Sequence, residues 1–177
     1  MRRASNRPPF YYSTMKILAF DQATKNTGYA VLEDGVLVRH GVLSVKASLD
    51  IMERIYRMSD QIVDMIADVS PDVVRFEGVE NVCNEKTMMY LANLQGACLV
   101  LAKRAGYDVD TIDVSTWRHM LGFRLGSRVK RSELKQQAID MAASLFGVAC
   151  GDDEADAICI ACAVQKIFDS KETKGNV

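Results

Sequence analysis

The sequence predicts an α/β fold, a five-stranded mixed sheet flanked by helices on both faces. Three observations carry this. Five apolar runs have the length of strands, and the first three follow one another directly as a meander. After the third, strands alternate with long stretches of helical periodicity. The chain has 177 residues, 49% hydrophobic and 25% charged, which suits one globular domain.

The elements follow in order. Lys16 to Phe20 is a buried strand closing on Asp21, and polar Gln22 to Thr27 leads into Gly28. Tyr29 to Leu32 is the second strand. Asp34-Gly35 marks a hairpin into the third, Val36 to Val45. Ser48 or Asp50 caps a helix to about Val69, with Ile51, Ile55, Met58, Ile62, Met65 and Ile66 on one face, and Pro71 stops it. Asp72 to Glu77 is the fourth strand. A second helix covers Asn84 to Ala105 and ends at Gly106. Tyr107 to Ile112 is the fifth strand, and Ser115 caps a short helix holding Trp117 and Met120. Gly122 to Ser132 is a basic, glycine-containing loop. Helices then run from Arg131 or Ser132 to Phe146, and from Asp152 or Asp153 to Phe168. Residues 1–14 are expected to be an irregular basic arm with Arg2, Arg3 and Arg7, residues 15–170 one domain, and 171–177 a polar tail. Met15 is an alternative start, and a leftover tag is the second reading of the arm.

Several classes are excluded. No apolar run is long enough to span a bilayer, and Pro8, Pro9 and two tyrosines break any signal-peptide core. Five cysteines, an odd count, point to reduced thiols in the cytoplasm. Cys159 and Cys162 form a C-x-x-C inside an apolar helical run, without a second pair at zinc spacing, so they read as core residues. Of the two histidines, His40 reads as a surface residue and His119 as a packing or surface residue. The net charge of −1 does not itself advertise nucleic-acid binding.

The acids carry the chemistry. Asp21 and Glu77 each end an apolar strand, where α/β sheets bind ligands. Asp152, Asp153 and Asp156 open the last helix, and Asp153 and Asp156 share a face of it. Singly, each has a structural explanation as a turn cap or as a helix-dipole partner. Gathered at one sheet end, Asp21, Glu77, Asp153 and Asp156 would repel one another, and hard divalent cations resolve that repulsion. Oxygen-only ligands suit Mg²⁺ or Mn²⁺. Two such ions about 4 Å apart are the usual clamp for phosphodiester displacement, and no protein nucleophile is then needed.

These residues resemble the RuvC-type Holliday junction resolvases. Lys-Ile-Leu-Ala-Phe-Asp21 with Thr27-Gly28-Tyr29-Ala30 is similar to that family's first two strands. Val-Val-Arg-Phe-Glu77-Gly is similar to its second acidic motif, and Asp153-Glu-Ala-Asp156 to its closing Asp-x-x-Asp helix. Asn93 to Gly106, with Gln95-Gly96-Ala97, looks like its central helix, and the likeness runs from about Lys16 to Lys166. The resemblance implies a ribonuclease-H-like fold and a homodimer. It implies Mg²⁺-dependent paired nicking of four-way junctions, with Asp21, Glu77, Asp153 and Asp156 as metal ligands. Three features depart from the pattern: Asp21-Gln22-Ala23 replaces Asp-Pro-Gly, Arg75 stands at an apolar strand position, and Asp152 adds an acid. Arg75 suggests a strand near a sheet edge, and Asp152 is an alternative to Asp153 as ligand. The departures look more like the viral or prophage branch than the housekeeping enzyme.

Positive charge is densest from Arg118 to Lys135, in Arg118, Arg124, Arg128, Lys130, Arg131 and Lys135, opposed only by Glu133. Beside an acidic metal site these residues are expected to neutralise DNA phosphates, although solvated charged loops are common. Asn84, Lys86 and Thr87 open the second helix and can reach DNA there, and Tyr90 either stacks on a base or packs. Met88, Met89, Leu91, Leu94, Leu99 and Leu101 make that helix apolar on more than one side, which dimerisation would explain. Three other readings compete: a nuclease of this fold acting on flaps, RNA or RNA–DNA hybrids; a catalytically weak junction-binding protein; and an actin-like phosphotransferase, for which the chain is short and lacks a Walker motif.

Overall fold

A computed structural model describes residues 15–79 and 84–175, with side chains as far as residue 171. The expected arm, residues 1–14, lies outside the described residues. The described elements are β1 (Lys16–Asp21), β2 (Asn26–Glu33), β3 (Val36–Ser44), α1 (Ile51–Val69), β4 (Val73–Glu77), α2 (Glu85–Arg104), β5 (Asp108–Ile112), α3 (Val114–Met120), α4 (Arg131–Phe146) and α5 (Asp152–Gly175).

The five strands form one sheet in the order β3-β2-β1-β4-β5. The β1–β2 and β2–β3 pairs are antiparallel, while β1–β4 and β4–β5 are parallel. This is the ribonuclease-H-like arrangement with its mixed five-stranded sheet. Alternate side chains of the central strands feed two cores, as strand geometry requires. Ile17, Ala19, Ala30, Leu32 and Val73 pack under α3, α4 and α5, with Trp117, Ala138, Ile158 and Cys159. Leu18, Phe20, Val31, Val74 and Phe76 pack under α1 and α2, with Met58, Ile62, Leu94 and Cys98.

Local chemistry sets the element ends. Asp34 and Gly35 both take positive φ, 50° and 78°, as a tight two-residue hairpin demands. Asp50 caps α1 through the amides of Met52 and Glu53, and Ser70 ends it in the left-handed conformation before Pro71. Asn84 accepts from Thr87 N–H at the start of α2, and Gly106 follows its end with φ 96°.

Four boundaries or environments differ from the sequence reading. The cap of α3 is Asp113, not Ser115, because Trp117 N–H already bonds the Asp113 carbonyl at 3.1 Å. α5 continues to Gly175, where an end at Phe168 was expected; Gln165 donates to Asp169 across one helical turn at that point. His40 is half-buried rather than on the surface. α2 buries only Leu94, Cys98 and Ala102, and leaves Met88, Met89, Val100 and Leu101 exposed. Arg75 belongs to the strand next to the β5 edge, and its guanidinium crosses that edge to the Asp108 carboxylate and carbonyl, both at 3.1 Å. Cys159 and Cys162 are buried free thiols whose pKa burial raises, the second to about 11.

Candidate active site

Parallel pairing in register aligns Phe20 with Phe76, whose rings stack at 5.0 Å. The next residue on each strand is an acid, so β1 and β4 deliver Asp21 and Glu77 side by side at the carboxyl edge of the sheet. Opposite Asp21 on β2 stands Gly28. A Cβ there would lie 1.9 Å from the Asp153 carbonyl oxygen and 2.3 Å from its carbon. Only glycine lets α5 descend so far, and this contact brings the third group of acids onto the same edge.

Negative charge and burial outweigh the nearby cations around these carboxyls. Burial first, then Glu77, Asp156 and Asp153, raise the Asp21 pKa well above the usual carboxylate range, against partial relief from Lys135. Asp156 is pushed up to about 7, first by burial and then by Glu77, with Arg118 and Lys135 opposing. It is 8% exposed, and its Oδ1 is buried without a hydrogen-bond partner. An orphaned buried acceptor among all-oxygen donors fits a hard divalent cation. Among the described residues, no three His, Cys, Asp or Glu side chains are drawn close enough to hold an ion.

Glu77 is held by groups that the sequence reading left without a role. Trp117, fully buried and edge-on to Phe123, donates its indole N–H to Glu77 Oε1 at 3.0 Å. The amides of Gln22 and Gln95 both donate to the Glu77 carbonyl, at 2.8 and 2.7 Å. Gln22 is thus where the departure from Asp-Pro-Gly leads: its side chain ties the end of β1 to the end of β4. A signal existed in the adjacency of Gln22 to Asp21, but only the sheet pairing reveals its partner.

The extra acid, Asp152, pairs with Lys135 from α4 and is absent from the charges acting on Asp21. Lys135 therefore stands at the rim of the acidic site. Arg118 lies over the Trp117 ring at 4.8 Å, its Nε buried without a partner. Arg124, Arg128, Lys130 and Arg131 are exposed, and Arg124 pairs with Glu133 at 3.3 Å. Asn84 and Lys86 are exposed at the start of α2, Asn84 being engaged as its cap. His119 is exposed. No helix among the described residues is long and apolar enough to cross a membrane.

Comparison with known proteins gives a consistent result. The chain is 32% identical over 97 residues to the crossover junction endodeoxyribonuclease RuvC of Halorhodospira halophila, covering 53% of this chain and 58% of the relative. It is 26% identical over 152 residues to that of Syntrophomonas wolfei, covering 83% and 86%. In fold it is similar to Thermus thermophilus RuvC solved with a Holliday junction substrate, at TM-score 0.68 and 18% identity, covering 84% of this chain and 91% of that one. The yeast mitochondrial Holliday junction resolvase Ydc2 is similar at TM-score 0.57 and 16% identity, covering 89% and 80%. The family model of the crossover junction endodeoxyribonuclease RuvC matches residues 17–164, and the chain belongs to that family.

Proposed function

We propose that this chain cuts four-way DNA junctions by paired nicking, as a metal-dependent endonuclease working as a homodimer in the cytoplasm, with residues 15–170 as its nuclease unit. The observation that carries the reading is geometric: the strand register sets Asp21 beside Glu77, and the Gly28–Asp153 contact seats the α5 acids on the same edge. The relatives' names as crossover junction endodeoxyribonucleases support the substrate class.

Asp21, Glu77, Asp153 and Asp156 are the proposed ligands of two Mg²⁺ ions, with Mn²⁺ as a substitute. When bound, such ions activate the attacking water and stabilise the leaving oxygen. The protein's part is to hold and orient. Trp117 fixes one oxygen of Glu77, while Gln22 and Gln95 fix its backbone. Burial keeps a proton on Asp156 up to about pH 7, so loading the site displaces that proton. Arg118, Arg124, Arg128, Lys130, Arg131, Lys135, Asn84 and Lys86 are the proposed DNA contacts. The exposed apolar side chains of α2 support a dimer, whose two sites match the two-fold symmetry of a junction.

The direct test is a labelled synthetic four-way junction incubated with the protein, with Mg²⁺ or with chelator. The expected result is Mg²⁺-dependent symmetric nicks on the junction, in preference to flaps, RNA–DNA hybrids and single-stranded RNA. Junction binding without cutting in either Mg²⁺ or Mn²⁺ overturns the reading.

A further inference from the structure

Three consecutive acids open α5, and each meets a different neighbour. Asp152 takes the Lys135 ammonium from α4. Glu154 Oε1 lies 2.9 Å from His40 Nδ1 on β3, while its Oε2 accepts the Gly151 N–H at 3.1 Å. Asp153, between them, rests its backbone on Gly28 and acts on Asp21 and Asp156. The first turn of α5 is therefore gripped from both sides, by α4 and by the strand at the far edge of the sheet, and seated on β2.

We propose that the Asp152–Lys135 and Glu154–His40 pairs form a clamp that fixes the first turn of α5, making Asp152, Glu154 and His40 positioning residues rather than metal ligands. This rests on the reading that Asp153 and Asp156 bind the ions. Partly exposed polar pairs contribute little to stability, so the clamp acts through geometry: Asp153 is one residue away from each arm, and a site needs its donors held within a fraction of an ångström. The Asp152 arm has a second effect. It shares the ammonium that acts on Asp21 and Asp156, which weakens the competition of that charge with a cation. Lys135 keeps spare donors for a phosphate, since an ammonium has three.

The test is Mn²⁺ binding without DNA, followed by the loss of the free-ion EPR signal, so its outcome does not depend on whether junctions are cut. Asp153→Asn serves as the ligand reference. D152A, E154A and H40A are expected to weaken Mn²⁺ binding about tenfold, as loss of a ligand-supporting contact does. D152N and E154Q, which keep hydrogen-bonding groups at both positions, are expected to bind within about twofold of the wild type. The double swap Lys135→Asp with Asp152→Lys is expected to recover part of what D152A loses. Unchanged binding in D152A and E154A overturns the clamp. So does a loss in D152N as large as in Asp153→Asn, which would make Asp152 a ligand. Should the alanine variants fail to fold, D152S and E154S, too short to reach Lys135 and His40, replace them: a loss of about tenfold supports the clamp and wild-type binding overturns it.

Discussion

Gly28 and Asp153 touch backbone to backbone, with no room between them for a methyl group. Because Gly28 also faces Asp21 across the β1–β2 pair, this one contact sets the height of the α5 acids above the sheet. Gly28→Ala must push α5 away from β2. Overpacking against backbone costs about 1–3 kcal/mol or more, and misplacing a reacting group by about 1 Å can cost about a hundredfold in rate. The variant is therefore expected to lose both urea stability and nearly all cutting, while junction binding through the basic loop persists. An alanine variant with the wild-type unfolding midpoint and single-turnover rate would refute the assembly of the site described above.

The raised carboxyls make stability depend on pH in a defined direction. A carboxyl whose pKa is raised by folding binds its proton more tightly when folded, so its contribution is fully present below its ordinary value and gone once pH passes about 7. For Asp156 the difference is on the order of 4 kcal/mol at most. In chelator, thermal stability is expected to fall from pH 5 to pH 8. Asp156→Asn is expected to flatten that fall and to raise stability at pH 8 by about 1–3 kcal/mol. Asp21→Asn, Glu77→Gln and Asp156→Asn are each expected to abolish cutting with junction affinity largely intact. Added Mg²⁺ raises the wild-type melting temperature more at pH 8 than at pH 6, because loading displaces the proton. A melting temperature in chelator that rises over this range contradicts the sign.

Much of this was readable in the sequence. Asp21 and Glu77 close apolar runs, so their place at strand ends follows from periodicity alone, as does the hairpin from Asp34-Gly35. The α5 acids could be grouped but not ranked. Asp152 and Asp153 differ only in their neighbours, and Lys135 lies seventeen positions away on another helix. His40 looked like a surface residue because strand alternation does not reveal what packs on an edge strand, and Glu154 is 114 positions distant. The roles of Gln22, Gln95 and Trp117 depend on where the Glu77 backbone and carboxyl sit after folding, which local pattern cannot specify. The apolar residues of α2 could be counted but not sorted: only packing separates the three buried positions, Leu94, Cys98 and Ala102, from those left outside.

Trp117 offers a separable test of how Glu77 is oriented. Phenylalanine fills most of the indole volume and can keep the edge-on contact with Phe123, but it removes the donor to Glu77 Oε1. A hydrogen bond to a charged group is worth about 1.5–3 kcal/mol. Trp117→Phe is expected to slow single-turnover cutting about tenfold, without weakening junction binding. Equal loss in rate and in binding would instead mean general damage to the basic segment beside it.

The exposed apolar side chains of α2 predict self-association. Val100 is 56% and Leu101 46% exposed on a helix whose other side is core. Val100→Glu combined with Leu101→Lys places charge where a partner would bury apolar surface. Sedimentation should show the wild type as a dimer and the double variant as a folded monomer, with paired nicking replaced by slow single nicks. A wild-type protein that remains monomeric at tens of micromolar removes this part of the reading.

The basic segment between α3 and α4 is expected to supply sequence-independent affinity. Lys130 and Arg131 are exposed, and the neighbouring Arg124 is partly occupied by Glu133 at 3.3 Å. Each phosphate contact contributes about 0.9 to the slope of log affinity against log salt. Lys130→Ala with Arg131→Ala should therefore make the slope for junction binding shallower by nearly 2. The maximal cutting rate at saturating DNA should change little, because neither side chain is among the charges acting on Asp21 or Asp156. Arg39 provides the control. It is paired with Asp68 at 2.8 Å, away from the site, so Arg39→Ala should leave the slope unchanged. Arg124→Ala should cost less than either neighbour, since its charge is already shared. If Arg39→Ala and Arg124→Ala each shift the slope as much per charge as the Lys130–Arg131 double variant, affinity comes from diffuse charge over the whole surface, and the segment from Arg124 to Arg131 has no special place in holding DNA.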